Sequence, residues 1–153
     1  MRRLFPSLFS DRRGNSIVEF GLAMPVLCLL LVGLLDLGKY GLQKMSLLHG
    51  AREGAQYGIL AYTETANINS TAVAATGLTG VTATNNVFCE CVSGTAVSCS
   101  TTCSGGATLK RYITVTTNKS FSSILGAASL NFGALGSFTP PSSLSATITM
   151  IVP

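Results

Sequence analysis

The sequence predicts an α+β fold. One long N-terminal α-helix crosses a membrane and continues as a stalk, and a small antiparallel β-rich, disulfide-stapled exported domain follows it. Three observations lead to this. Residues 17–35 form an apolar run interrupted only by Glu19 and Pro25, with arginines on one side of it. Residues 39–62 contain no proline and keep a helical period. The rest is rich in Ser, Thr, Ala, Gly and Asn, with short alternating apolar stretches and four clustered cysteines. A chain of 153 residues has room for one such domain beyond a membrane segment. The expected division is a cytoplasmic leader at 1–14, a transmembrane helix at 15–38, an amphipathic stalk at 39–62 and the β-rich domain at 63–153.

The leader is basic. Arg2, Arg3, Arg12 and Arg13 stand against Asp11, so most of the formal net charge of +4 lies before Asn15. Beyond that point Lys39, Lys44, Arg52, Lys110, Arg111 and Lys119 nearly balance Glu19, Asp36, Glu53, Glu64 and Glu90. No basic stripe exists to hold a phosphate backbone, so nucleic acid is not an expected partner. One-sided arginines read instead as a topology signal that keeps the N-terminus in the cytoplasm and sends the rest outward.

At about 1.5 Å per residue the apolar run is about 28 Å long, against about 30 Å of hydrocarbon in a bilayer. Asp36 and Lys39 mark its far boundary, and Tyr40 suits the interface. An ordinary cleaved signal peptide fits poorly, because the run is longer than such an apolar region and no A-x-A-like site follows it. The segment should stay in the product as an anchor or packing helix among lipid. Pro25 removes a backbone hydrogen bond and should kink it, which membrane helices tolerate.

Glu19 is the charge that needs explaining. An acidic side chain at the bilayer centre costs about 2.5–3.5 kcal/mol on insertion scales, less near the interface. Ser16-Ile17-Val18-Glu19 has the S-x-x-E form of a capping box, with Ser16 as cap and Glu19 reaching back toward the positive helix end. Gly14 supplies a second reading. A cut after Gly14 would give Asn15 a free α-amino group and make Glu19 the fifth residue of the mature chain. That arrangement resembles the type IV prepilin signal: a basic leader, Gly before the cut, Glu at mature position five, then an apolar helix. The resemblance implies that Glu19 pairs with the N-terminal amine of a neighbouring subunit. Each charge is costly in an apolar bundle and tolerable as a pair.

The resemblance narrows over residues 14–25. Gly14-Asn15-Ser16-Ile17-Val18-Glu19-Phe20, followed by Pro25 before a leucine-rich run, is similar to the start of TadE-like proteins, the pseudopilins of tight-adherence (Flp) pilus systems. Ala51-Arg52-Glu53-Gly54-Ala55-Gln56-Tyr57 resembles the A-R-E-G-A-R-Y segment of that family, with Gln56 where Arg is frequent. Beyond Tyr57 the likeness is loose: a strand-rich tail, Phe121-Ser122-Ser123-Ile124-Leu125 and a final alternating strand.

In the stalk, Gly41, Met45, Leu48, Ala51, Ala55, Ile59 and Tyr62 fall on one helical stripe, with Lys44, His49, Arg52, Glu53 and Gln56 largely elsewhere. Gly50, Gly54 and Gly58 recur four apart on one face, each at about 1 kcal/mol of helix propensity against Ala. Such a row predicts helix packing with a close backbone approach. Its partner is either the chain's own β domain or a neighbouring pilin helix.

In the exported part, 63–69 breaks the helical pattern and a short helix at 70–76 is expected, capped by Asn69 or Ser70. Strand-like stretches follow at 81–84, 87–91, 96–100, 111–117 and 145–152. Residues 122–137 are apolar and Gly-rich and receive no assignment. Cys89, Cys91, Cys99 and Cys103 suggest two disulfides in an oxidising compartment, with three pairings open. A Cys89–Cys91 bond would close a very tight ring. A hairpin turning near residues 93–97 would nest Cys91–Cys99 inside Cys89–Cys103. A four-Cys zinc site is the alternative, but C-x-C…C-x3-C lacks the usual C-x2-C knuckles. Cys28 reads as a small apolar side chain in the span.

No catalytic site is expected. His49, the single histidine, lies on the stalk without an acid and nucleophile gathered around it. No phosphate loop, H-E-x-x-H or EF-hand loop occurs, and no cofactor is implied. The resemblance implies a structural minor pilin or pseudopilin, cut by a prepilin peptidase after Gly14. It would reside in the bacterial inner membrane and work with other pilins and an inner-membrane assembly platform. The alternative is an uncleaved single-pass anchor whose stapled domain binds an envelope or extracellular ligand, as an adhesin would.

Overall fold

The computed structural model of the chain describes residues 15–91, 94–124, 126, 130–131, 136–139 and 141–153. The leader with Gly14, the turn residue Ser93, Leu125 and Pro140 lie outside the described residues. The element order is α1 (Asn15–Leu60), α2 (Thr65–Thr76), β1 (Val81–Glu90), β2 (Ala96–Val97), β3 (Lys110–Ser120), β4 (Leu130–Asn131), β5 (Ser137–Phe138) and β6 (Ser143–Val152). This is the expected α+β arrangement of one long helix followed by an antiparallel sheet.

The transmembrane and stalk segments form one helix of 46 residues, with Pro25 inside it. Asn15 is already helical, so Ser16 lies within α1 and is not its N-cap. The second helix begins at Thr65, earlier than expected, and Asn69 and Ser70 lie inside it. Glu64 takes the cap position, and its carboxylate is held from two sides. The Tyr57 hydroxyl donates to Glu64 Oε2 at 2.6 Å, and Asn67 Nδ2 donates to the same oxygen at 2.7 Å. These contacts fix the turn between the helices, which sequence alone read as a long break. Gly77 ends α2 in the left-handed conformation that glycine adopts without penalty.

The four-stranded sheet has the order β2-β1-β3-β6, and β4 pairs with β5 as a separate two-residue ribbon. The two strands expected between 81 and 91 are one, because β1 pairs with β3 without interruption from Val81↔Lys119 to Glu90↔Lys110. Both helices pack on one face of the sheet. Ala55, Ile68, Ala72, Ile113, Val115 and Val152 make one cluster, and Leu47, Val81, Phe121, Leu144 and Ala146 a second, nearer the membrane segment. Thr117, fully buried among them, donates its hydroxyl to the Leu47 carbonyl of α1 at 2.9 Å. The opposite sheet face is hydroxyl-rich, with Thr114 bonded to Thr149 and Thr116 to Thr147 across the strands.

The four clustered cysteines form two disulfides, as expected, but with a different pairing: Cys89–Cys99 and Cys91–Cys103. The nested arrangement fails on register. Strand β1 sets Cys89 opposite Val97, two residues short of Cys99, so the following residues fold back beside Cys89. Cys91 lies past the end of β1 and reaches Cys103 after the turn closed by the Thr101 amide and the Ser98 carbonyl. The pairing also consumes all four thiols that a zinc site would need. By loop entropy each bridge is worth about 2–3 kcal/mol.

Two outcomes follow from these contacts. In Cys89→Ser, alkylation without reduction should newly label Cys99, read by peptide mass spectrometry; labelling of Cys103 instead would restore the nested pairing. The second concerns pH. The Tyr57 bond, then the Asn67 bond, hold the Glu64 carboxyl below its ordinary 4.5. The Glu64 bond likewise raises the Tyr57 phenol above its ordinary 10.0. The Glu64 contribution is complete above the unfolded value and is lost as pH falls through the lower folded one. That of Tyr57 is complete below about 10 and is lost as pH rises through its raised value. Between about pH 5 and pH 3 the melting temperature should therefore fall less steeply in Glu64→Gln than in the parent chain.

Candidate functional site: the two halves of the long helix

The helix α1 divides by what covers it. Within its N-terminal half an 18-residue window has mean hydropathy 2.4 and none of it is buried. By length and composition this is the one helix able to span a membrane among the described residues. Ile17, Val18, Phe20 and Leu22 are all exposed around Glu19, which is itself exposed. Among the described residues, α2, β3 and β6 pack on the half after Asp36.

The contact begins at the end of the apolar run. Asp36 Oδ1 accepts from the Ile124 amide at 2.7 Å, and Ser123 donates its hydroxyl to Asp36 Oδ2. Lys39 donates to the Ser122 carbonyl at 2.7 Å and lies 5.4 Å from the centre of the Phe121 ring. Tyr40 meets the same ring edge-on at 5.7 Å. Lys44 donates to the Ser145 carbonyl of β6, which is an edge strand. Asp36 and Lys39 were read from sequence only as boundary markers. Their partners are mostly backbone groups some 80 residues away, and no spacing rule reports such a pairing.

Farther along, the row of Gly50, Gly54 and Gly58 is buried. A Cβ at Gly50 would stand 2.5 Å from the Ala72 carbonyl oxygen, and one at Gly54 2.6 Å from the Ala72 Cβ and 3.1 Å from the Ile68 carbonyl oxygen. One at Gly58 would run into the end of the Ile113 side chain. The glycine face packs on the chain's own α2 and on Ile113 of β3. The expected apolar stripe is offset for the same reason. Met45 and Leu48 are 69% and 39% exposed, while Leu47, Ala51 and Ala55 are fully buried. The buried face follows the smallest residues, since they admit the closest approach.

The Ala51–Tyr57 motif splits accordingly. Ala51, Gly54 and Ala55 face the core, and Tyr57 anchors Glu64. Arg52, Glu53 and Gln56 line an open groove of about 420 Å³ with Leu48, His49 and Ile148. His49 Nδ1 lies 3.8 Å from Glu53 Oε1, both side chains largely exposed. Among the described residues no group of three or more His, Cys, Asp or Glu is placed to hold a metal ion.

Glycine replacements test the packing. Gly50→Ala and Gly54→Ala meet backbone, so overpacking of about 1–3 kcal/mol outweighs the gain of about 1 kcal/mol in helix propensity. Gly58→Ala meets a flexible side-chain end and should cost less. Gly41→Ala has nothing within 4 Å and should be neutral or stabilising, all read by chemical denaturation.

The family model described as TadE-like protein matches residues 14–56, which carries it from the residue before α1 to within the last turns of that helix. No curated protein and no solved structure matches the chain. The apolar half with Glu19 and the start of the glycine-faced half both lie in this segment, and over residues 14–56 the chain is similar to TadE-like proteins.

Proposed function

We propose that the protein is a structural minor pilin or pseudopilin of a tight-adherence pilus, without catalysis of its own. It enters the bacterial inner membrane with its N-terminus in the cytoplasm and its sheet domain outside. A prepilin peptidase cuts it after Gly14, and its N-terminal helix then packs with other pilins on the inner-membrane assembly platform. The observation that carries this reading is the bare apolar half of α1, with Glu19 near its start, in the TadE-like segment.

The physical logic is one of unmatched surfaces. A helix half with no intramolecular cover is at rest in lipid, and the same surface can exchange lipid for other apolar helices. Glu19 makes one such exchange preferable. Cleavage would create an α-amino group on Asn15, and Glu19 of one subunit next to that amine of another would offset two desolvated charges while fixing axial register. Because the glycine face is occupied internally, subunit packing falls to the bare half, where Gly21 and Gly33 have nothing within 4 Å.

N-terminal sequencing or intact mass spectrometry of the membrane-extracted protein should find a chain beginning at Asn15. A chain beginning at Met1 or Arg2, in cells with an active prepilin peptidase, would reject the pilin reading and leave the uncleaved anchored binding protein in its place. Glu19→Val should be inserted and cleaved normally while pilus assembly fails; normal pili would refute the intersubunit pairing.

A further inference from the structure

The chain leaves β3 toward the membrane end of α1 and is tied there at one level. Leu35 is the last residue of the apolar run, and Asp36 is the first charge after it. Asp36 holds the Ile124 amide and the Ser123 hydroxyl, one on each carboxylate oxygen. Lys39, about 4.5 Å farther along the helix axis, holds the Ser122 carbonyl. The Phe121–Ile124 segment therefore lies against the single turn of α1 at which the hydrocarbon ends.

Ile124 is fastened to that turn by its own amide, yet its side chain is 57% exposed. Leu34, Leu35 and Leu37 beside it on the helix are exposed as well. Burying an isoleucine side chain away from water is favourable over leaving it exposed. At this depth lipid is the medium able to supply that burial. The segment itself brings no charged side chain to that depth, since no Asp, Glu, Lys or Arg occurs from Ser120 to Pro153.

We infer that the segment after β3, with Ile124 foremost, is a lipid-contact element that seats the exported domain on the bilayer beside the end of its own transmembrane helix. Ile124 enters the boundary between headgroups and acyl chains. Asp36 and Lys39 satisfy the polar backbone of the segment at that depth, where competition from water is reduced. The domain then has two attachments to the membrane plane, the helix and this segment, and its tilt is fixed. The inference rests on the membrane-spanning reading of α1.

The chain contains no tryptophan, so one introduced indole reports alone. The full-length protein is placed in phosphatidylcholine–phosphatidylglycerol vesicles whose acyl chains carry bromine at a shallow or a deep position. Ile124→Trp should emit to the blue and be quenched about twofold or more by shallow bromine, and less by deep bromine, as expected within about 5–10 Å of the headgroup boundary. Leu30→Trp, inside the span, should respond to deep bromine, and Thr149→Trp on the outer sheet face should respond to neither. Quenching at Leu30 without quenching at Ile124 overturns the lipid contact and leaves the transmembrane reading intact. No quenching at Leu30 overturns both. Adding Asp36→Ala to Ile124→Trp should relieve the shallow quenching; undiminished quenching overturns the role given to Asp36.

Discussion

Backbone-to-backbone approach between α1 and α2 is the constraint from which the rest of the architecture follows. Gly50 and Gly54 present no Cβ to Ala72 and Ile68, and there is no room for one. Glycine weakens a helix by about 1 kcal/mol per position in exchange for this proximity. Once α2 lies in that groove, Ile68 and Ala72 complete a core with Ile113 and Val115, and the sheet has a single face on which to rest. A larger residue in the row would lift α2, and with it the bonds that Asn85 Nδ2 of β1 donates to the Thr65 carbonyl and to Asn69 Oδ1 of α2.

The same constraint assigns the two halves of α1 their different work. Where the glycines lie, the helix is an internal element of a folded domain. Where they give way to leucines and valines, its apolar 18-residue window has none of its residues buried among the described residues. Asp36 is the hinge of this division in a chemical sense: it ends the apolar run and accepts two hydrogen bonds from the domain. A carboxylate there is favourable because it is too polar for hydrocarbon and well supplied with donors from the loop.

Away from the apolar half of α1 the domain is held by different means. The distal ends of β1 and β3 carry Phe88 stacked on Tyr112, and beyond them the two interlaced disulfides close the loops around the short β2. So small a domain buries few large side chains, and covalent closure supplements the core. On the β1 side, β2 pairs the end of the strand at Cys89 and Glu90, and on the other side β6 gives its Ser145 carbonyl to Lys44.

Much of this was legible in the residues themselves. Hydropathy marked out a helix long and apolar enough to span a membrane, because that capacity is a requirement on composition and length alone. Helical and alternating periods located α1, β3 and β6, since each rests on repeated local geometry. The glycine spacing announced a close approach. Its partner could not be read, because the complement is a helix that the sequence placed too short, started by a Tyr57–Glu64–Asn67 contact and not by an ordinary cap. Disulfide pairing depended on the register of β1 against β2, which a two-residue strand leaves open in sequence. Asp36 and Lys39 meet backbone groups, which carry no side-chain signature. What the sequence by itself determined is therefore which segments can enter lipid, form a helix or form a strand, all properties of near neighbours. Which faces meet, which cysteines join and where the loop after β3 is fastened were decided only by the tertiary structure, because those contacts join residues far apart in the chain.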